Sequence, residues 1–318
     1  MDKGILTMIR PYIEMLRPEI ADMDLALPAA SALLATYYVT GGPPDVLPFV
    51  VAVVGAYFAI TSSYVLNDYC DVDIDCINLP NRPLPSSRIS RKNALSYAVL
   101  LAVIGGAAAF YLNPESLLVF IIAASVITFY SIMAKRTTFL SFVPVGISYG
   151  LVPIGVWLAF DPAGILKPGI DPQILPLPGI FLGIMMCVTD WGFTLSGVAR
   201  DVEGDRAKGA PTTPVTFGIP ATSKFIFVCW VIGVAASLVI GYTAALGPLY
   251  FAGALAGGAW ILWQSLDFIR NPVPERGGKL FLQGSRYRGV MFGSLIVDVL
   301  LMILLKSAGY PFWNLAGL

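Results

Sequence analysis

The sequence predicts an all-α, polytopic membrane protein with nine transmembrane helices. Three observations predict it: a shortage of charge, nine long apolar stretches, and basic residues that alternate from one connection to the next. The chain of 318 residues is 57% hydrophobic and 13% charged, whereas a soluble domain carries roughly a quarter charged residues. Lipid is the solvent that such a composition fits, so the bilayer is the first partner predicted.

Crossing a hydrocarbon core of about 30 Å takes about 20 apolar residues in helix, because each backbone polar group must find its partner within the segment. The stretches are 18–39, 46–66, 93–112, 115–133, 138–160, 173–198, 225–243, 247–268 and 289–307. The first is the least apolar, carrying Glu19, Asp22 and Asp24. Connections on one side of this topology hold 18 Lys and Arg, and those on the other hold only Lys167 and Lys306. The positive-inside rule then predicts a multi-pass protein of the cell membrane with its N-terminus and long loops cytoplasmic. Gly41-Gly42-Pro43-Pro44, Asp161-Pro162 and Pro168-Gly169 punctuate the sparsely charged side. Met1 to Arg17 is interrupted by charge and does not read as a cleaved leader. Residues 1–318 read as one domain.

Net charge is zero and no basic run carries interleaved aromatics, so no nucleic-acid partner is predicted. No feature predicts an obligate protein partner. The absence of histidine removes the commonest general base and the usual zinc and haem ligand. Cys70, Cys76, Cys187 and Cys229 lack C-x-x-C spacing and read as free, mostly buried thiols.

Polar density gathers in two places. After the second span the chain runs Asn67-Asp68-Tyr69-Cys70-Asp71-Val72-Asp73-Ile74-Asp75 and then Asn81-Arg82-Pro83. In a helix, Asp68, Asp71 and Asp75 share one stripe with Asn67 beside them, while Asp73 points away. After the sixth span comes Asp201-Val202-Glu203-Gly204-Asp205, with Asp201 and Asp205 one turn apart. Like charges stacked at a membrane interface repel and lose solvation unless a cation compensates them. An all-oxygen donor set suits a hard ion, and Mg²⁺ takes a few carboxylates plus water and phosphate oxygens. The ligand implied is a metal-bound diphosphate. Solvated helix ends paired with nearby arginines are the bland alternative.

These residues resemble the UbiA superfamily of intramembrane prenyltransferases. The first cluster is similar to its N-D-x-x-D-x-x-x-D motif, Asn81-Arg82-Pro83-Leu84-Pro85-Ser86 to the loop after that motif, and Asp201 to Asp205 to its D-x-x-x-D region. Tyr130, Lys135 and Arg136 resemble its tyrosine-and-lysine element, and Lys279 to Tyr287 its last cytoplasmic connection. The resemblance implies helices ringing a central cavity that opens sideways to lipid, under a cytoplasmic polar cap. It implies Mg²⁺-dependent transfer of a prenyl group, for example geranylgeranyl, from its diphosphate to a lipophilic acceptor.

On that reading Asn67, Asp68, Asp71 and Asp75 hold one Mg²⁺, Asp201 and Asp205 a second, and both bridge the diphosphate. Arg82, Lys135, Arg136 and Lys208 bind its remaining oxygens, and Tyr130, with Tyr64 and Tyr149, faces the allylic cation. An isoprenoid or glycerol-lipid acceptor comes first, then an aromatic or chlorin acceptor, then cyclisation of the donor. Relatives that make archaeal ether lipids often carry an acid where this chain has Val198, which weakens that assignment. Glu19, Asp22, Asp24, Asp190 and Asp298 are candidate acceptor-side groups, with interfacial solvation or buried structural roles as alternatives. A transporter is the non-enzyme rival, since intramembrane acids also line ion pathways.

Overall fold

The computed structural model describes residues 3–166 and 172–309; Lys167 and the Pro168-Gly169 turn lie outside them. The described residues are all-helical. A surface helix, α1 (Lys3–Met15), which the sequence reading did not separate, leads through Arg17 and a short 3₁₀ turn into α2 (Ala21–Thr40). There follow α3 (Val46–Cys70), α4 (Val72–Asn78), α5 (Arg91–Leu112), and α6 (Pro114–Phe129), which runs through a π turn at Tyr130–Ala134 into α7 (Lys135–Thr137). The chain continues with α8 (Phe142–Phe160), α9 (Leu177–Arg200), α10 (Val202–Ala207), α11 (Thr213–Phe217), α12 (Ile219–Thr243), α13 (Pro248–Arg270) and α14 (Pro274–Ser307).

The helix starts are written locally. Ser90 and Asn113 accept hydrogen bonds from the backbone N–H groups of Asn93 and Ser116, satisfying donors that a first turn leaves free. Proline occupies the first turn of α6, α9, α12, α13 and α14, where its missing N–H costs nothing. Asp298 accepts from the N–H groups of Gly247 and Tyr250 at 2.6 and 3.3 Å. Its place is therefore at the N-terminus of α13, a structural role for one of the five acceptor-side candidates.

Seven of these helices are long and apolar enough to cross a membrane. They correspond to predicted spans 2 to 7 and 9, and make this a multi-pass membrane protein. The helices of the first and eighth predicted spans, α2 and α13, are long but fall outside that set. Helix α2 opens on Asp22 and Asp24 and packs against α3, α8 and α14, and a helix walled by protein needs less apolar surface than one facing lipid. The predicted connection at Lys279–Tyr287 is helix instead: α14 starts at Pro274. Its Leu280, Gly284, Tyr287 and Arg288 are buried while Arg286 stays exposed.

Helix α9 is the hub, packed on α8, α12 and α14. A Cβ at Gly150 of α8 would sit 2.8 Å from the Gly183 carbonyl of α9, so glycine sets how closely these helices approach. Trp157, Trp230, Tyr250, Tyr287, Phe268 and Phe292 fill the core. All four cysteines are free, but only Cys229 is buried and Cys76 is exposed.

Candidate active site

The first aspartate cluster lies on a broken helix. Helix α3 ends where Asp71 leaves helical geometry (φ −101°, ψ 11°), and α4 begins at the next residue. Turn-to-turn bonds nevertheless cross the break, from Asp71 N–H to the Asn67 carbonyl and from Asp75 N–H to the Asp71 carbonyl, at 2.9 and 2.8 Å. Asp68, Asp71 and Asp75 therefore keep one side and are all buried, whereas Asp73 is exposed.

Long-range cations hold this stripe. Arg17 donates to Asp68 at 2.9 Å, and Arg82 donates to Asp68 at 3.0 Å and to Asp75 at 2.8 Å. Asn67 donates to Asp71 at 2.9 Å, and the Lys135 ammonium lies 2.6 Å from the same carboxylate. Arg136 turns outward and pairs with Asp73 at 2.7 Å, standing 3.7 Å from Asp71. Burial raises the Asp75 pKa against the pull of Arg82, and Arg136 lowers that of Asp73.

The second cluster begins where α9 ends. Asp201 is gripped by both Nε and Nη2 of its neighbour Arg200, each at 2.7 Å. Asp205 is fully buried and accepts from the Thr212 hydroxyl at 3.0 Å. Burial pushes its pKa up to about 6, with Lys135 pulling the other way.

Two residues join the clusters. Asn78, at the end of α4, donates to the Asp201 carbonyl and accepts from the Gly204 N–H; a Cβ at Gly204 would meet its amide at 2.4 Å. Lys135 reaches Asp205 at 3.8 Å while holding Asp71. A residue inserted by a π turn rotates the downstream helix face by about 100°, and the turn at Tyr130–Ala134 immediately precedes this lysine.

Beneath the junction lies a cavity of about 720 Å³ including its open mouth, lined by Arg17, Tyr64, Asn67, Asp71, Asp75, Arg82, Tyr130, Lys135, Tyr149, Asp190, Arg200 and Asp201 among others. At Ser63, Ile127 and Tyr149 it meets an apolar groove walled by Ala59, Ala98, Ala102, Phe120 and Ala123. That groove adjoins another at Ala59, Phe120, Ala123 and Val152, which runs on past Gly55 and Ala108 to Leu112.

Of the predicted site residues, Asn67, Asp68, Asp71, Asp75, Arg82, Tyr130, Lys135, Asp201 and Asp205 are brought together at this mouth. Lys208 is exposed and does not line the cavity, nor does Arg136. Asp22 and Glu19 are exposed and Asp24 is buried, so the acids of the first span part company. The sequence reading missed Arg17, Asn78, Arg200 and Arg288. Arg200 adjoins the second motif and carried a local signal; the other three act over separations of 51 to 126 residues, which no local pattern encodes.

Does this donor set fit a hard divalent ion? Among the described residues no three acids stand close enough to hold a metal alone, because Arg82 and Lys135 sit between them. Yet Asp71 Oδ1 and Asp205 Oδ1 are buried without a hydrogen-bond partner. Such oxygens are costly unless satisfied. Two carboxylates, with water and phosphate oxygens completing the shell, fit Mg²⁺.

Helices long and apolar enough to span a membrane surround a carboxylate-ringed cavity that runs into an apolar groove, the architecture of an intramembrane protein with a polar site. Residues 27–296 match the UbiA prenyltransferase family, and the chain belongs to that family. It is similar to the digeranylgeranylglyceryl phosphate synthase of Thermococcus sibiricus, with 26% identity over 86% of this chain and 91% of the relative. The enzyme of the same name from Methanospirillum hungatei is 29% identical over 92% and 98%. Among solved structures, the UbiA homologue of Aeropyrum pernix shares the fold at a TM-score of 0.70 and 20% identity, over 87% of this chain and 97% of that one. The Archaeoglobus fulgidus homologue bound to GPP and Mg²⁺ aligns at 0.60 and 18%, over 92% and 99%.

Proposed function

We propose that the protein transfers a prenyl group, geranylgeranyl in the first instance, from its diphosphate to a glycerol-lipid acceptor, in a Mg²⁺-dependent reaction on the cytoplasmic side of the membrane. The observation that carries the reading is Lys135 standing between two buried, partly unsatisfied carboxylates from opposite halves of the chain. The names of the sequence relatives support the glycerol-lipid acceptor, the GPP and Mg²⁺ in the Archaeoglobus homologue support the donor and the ion, and the basic-residue bias supports the orientation.

Asp71 and Asp205 would hold Mg²⁺ through their free oxygens, with Asn67, Asp68, Asp75 and Asp201 around them. The ion supplies charge neutralisation of the leaving diphosphate. Arg82 and Lys135, now spent on aspartates, are the cations placed to turn to phosphate oxygens. Tyr130 presents a ring to the allylic carbon as positive charge develops there. The isoprenoid tail lies in the groove from Ser63 to Gly55, whose small residues leave its width. Val198 adds an apolar wall to the cavity, so any acid serving the acceptor comes from elsewhere.

Purified protein in lipid nanodiscs, given Mg²⁺, geranylgeranyl diphosphate and a panel of geranylgeranylglyceryl phosphate and aromatic acids, should release diphosphate and yield the glycerol ether by mass. Adduct only with an aromatic acid, or diphosphate release with a cyclised hydrocarbon, would replace the acceptor assignment. No turnover of any prenyl diphosphate would sink the reading.

A further inference from the structure

Joining a prenyl group to an alcohol leaves a proton to dispose of, and on the proposed function the acids at the cavity mouth are committed to the arginines, Lys135 and the metal. A second acidic group lies deeper. Asp24 of α2 is 1% exposed. Its Oδ2 accepts a hydrogen bond from the Tyr64 hydroxyl at 2.8 Å, and its Oδ1 has no hydrogen-bond partner among the described residues. Tyr64 lines the cavity and Asp24 does not, so the carboxylate reaches the reaction space only through that hydroxyl.

The ionisable groups facing Asp24 are Tyr57 and Tyr64 of α3, Tyr149 of α8, Asp190 of α9, Arg288 of α14, and Arg17 ahead of α2. Arg17 lies over the Tyr64 ring at 4.5 Å and spends its charge on Asp68. Arg288 is fully buried and pairs with Asp190 at 3.1 Å. Both nearby cations thus have their own carboxylates, and among the described residues the Tyr64 hydroxyl is the one hydrogen-bond donor to Asp24. That is the arrangement of a proton acceptor and not of an ion pair.

We propose that Tyr64 and Asp24 form a relay that takes the proton from the acceptor hydroxyl. The inference rests on the transferase function proposed for this site. In the step, a lone pair of the acceptor oxygen forms the new bond to the allylic carbon as the bond to diphosphate breaks, its electron pair leaving with diphosphate. The acceptor proton moves to the Tyr64 oxygen while the proton of Tyr64 passes to Asp24 Oδ2. Product departure lets it return through the same hydroxyl to water in the cavity. Tyr64 is thereby a catalytic residue and Asp24 a positioning residue that acts through it.

The test compares wild type, Asp24→Asn and Tyr64→Phe in nanodiscs. Mg²⁺-dependent binding of the unreactive geranylgeranyl S-thiolodiphosphate reports the donor site, and transfer to geranylgeranylglyceryl phosphate between pH 5 and 8 reports the relay. We expect donor binding within about twofold, transfer slowed by about 10²-fold or more, and loss of the acidic limb of the pH–rate profile in both variants. Should Asp24→Asn fail to fold, Tyr64→Phe, which keeps the ring under Arg17, decides alone. Wild-type transfer rates in Tyr64→Phe, or an unchanged pH profile in both variants, would overturn the relay. Failure of the wild type to bind the donor analogue would overturn the transferase reading first and the relay with it.

Discussion

The two aspartate clusters use one chemistry and are held in opposite ways. Asp68, Asp71 and Asp75 are cross-linked by Arg17, Arg82 and Lys135, side chains from three separate parts of the chain. Asp201 is held by its immediate neighbour, and Asp205 has a threonine and a distant lysine. Tertiary structure thus gives each carboxylate of the first cluster a cation, and on the proposed function those cations would have to move for a phosphate to enter. The second is left under-compensated at Asp205, which on the proposed function would give that end the stronger demand for a metal. On the proposed function each cluster would give the ion one oxygen that lacks a hydrogen-bond donor, Asp71 Oδ1 and Asp205 Oδ1, while the cations for the leaving group would come from around the first.

The largest effect should come from removing the two buried carboxylate oxygens that lack a hydrogen-bond donor. Asp71→Asn and Asp205→Asn should each lower diphosphate release at saturating Mg²⁺ by at least about 10²–10³-fold, the cost of deleting one preorganised electrostatic group. Asp75→Asn should lose less, because Arg82 keeps Asp68 as a partner. Equal losses at all three would erase the distinction between carboxylates with an oxygen that lacks a hydrogen-bond donor and one held by Arg82.

Next comes the residue that touches both. Lys135→Met leaves Asp71 and Asp205 buried without their shared cation, and breaking a buried pair costs about 3–5 kcal/mol. Thermal unfolding should show that loss without Mg²⁺ and a larger Mg²⁺-induced rise in Tm than in wild type. A variant with no change in either would mean the lysine is a spectator.

The clusters were legible in the sequence because helical spacing alone puts Asp68, Asp71 and Asp75 on one stripe. The convergence was legible only through the resemblance, since Asn78 meets Asp201 across 123 residues and Lys135 meets Asp71 across 64. Lys208 shows the limit of reading position from a motif. It follows the second motif by three residues, but α10 ends at Ala207 and turns it to solvent. The apolar groove was invisible because every span offers small and aliphatic side chains; what makes a groove is which of them face each other, as Ala59 and Gly105 do. Helix α14 was cut short because its polar first half reads as a loop when the burial of Tyr287 and Arg288 is unknown.

A smaller effect separates the clusters by pH. The folded-state pKa of Asp205, about 6, lies above the ordinary aspartate value of about 3.9. Its protonated form is favoured by folding, so that contribution to stability is full below the ordinary value and lost as pH rises through about 6. Mg²⁺ binding requires the ionised form and runs the other way, with apparent affinity falling up to about tenfold per pH unit below 6. Titration of Mg²⁺ by its effect on Tm at pH 5 and pH 7 should show this in wild type, and Asp205→Asn should flatten the dependence. An equal dependence in both proteins would move the titrating group to the first cluster.

The smallest effect is expected at Asp73, the one aspartate of the first run that faces solvent. It holds Arg136 at 2.7 Å, but the pair is exposed, and such pairs contribute about 0–1 kcal/mol. Asp73→Asn should therefore shift Tm little and leave transfer within about twofold. Arg136 stands between Asp73 and Asp71, 3.7 Å from the latter. Freed from Asp73, the guanidinium can close from 3.7 Å to hydrogen-bonding distance of Asp71 Oδ1 and compete with a metal there. A rise in the Mg²⁺ concentration needed for half-maximal transfer, with the maximal rate unchanged, would assign Asp73 the task of keeping Arg136 off the site. A fall in the maximal rate instead would place Arg136 on the diphosphate and return it to the catalytic set that its sequence position suggested.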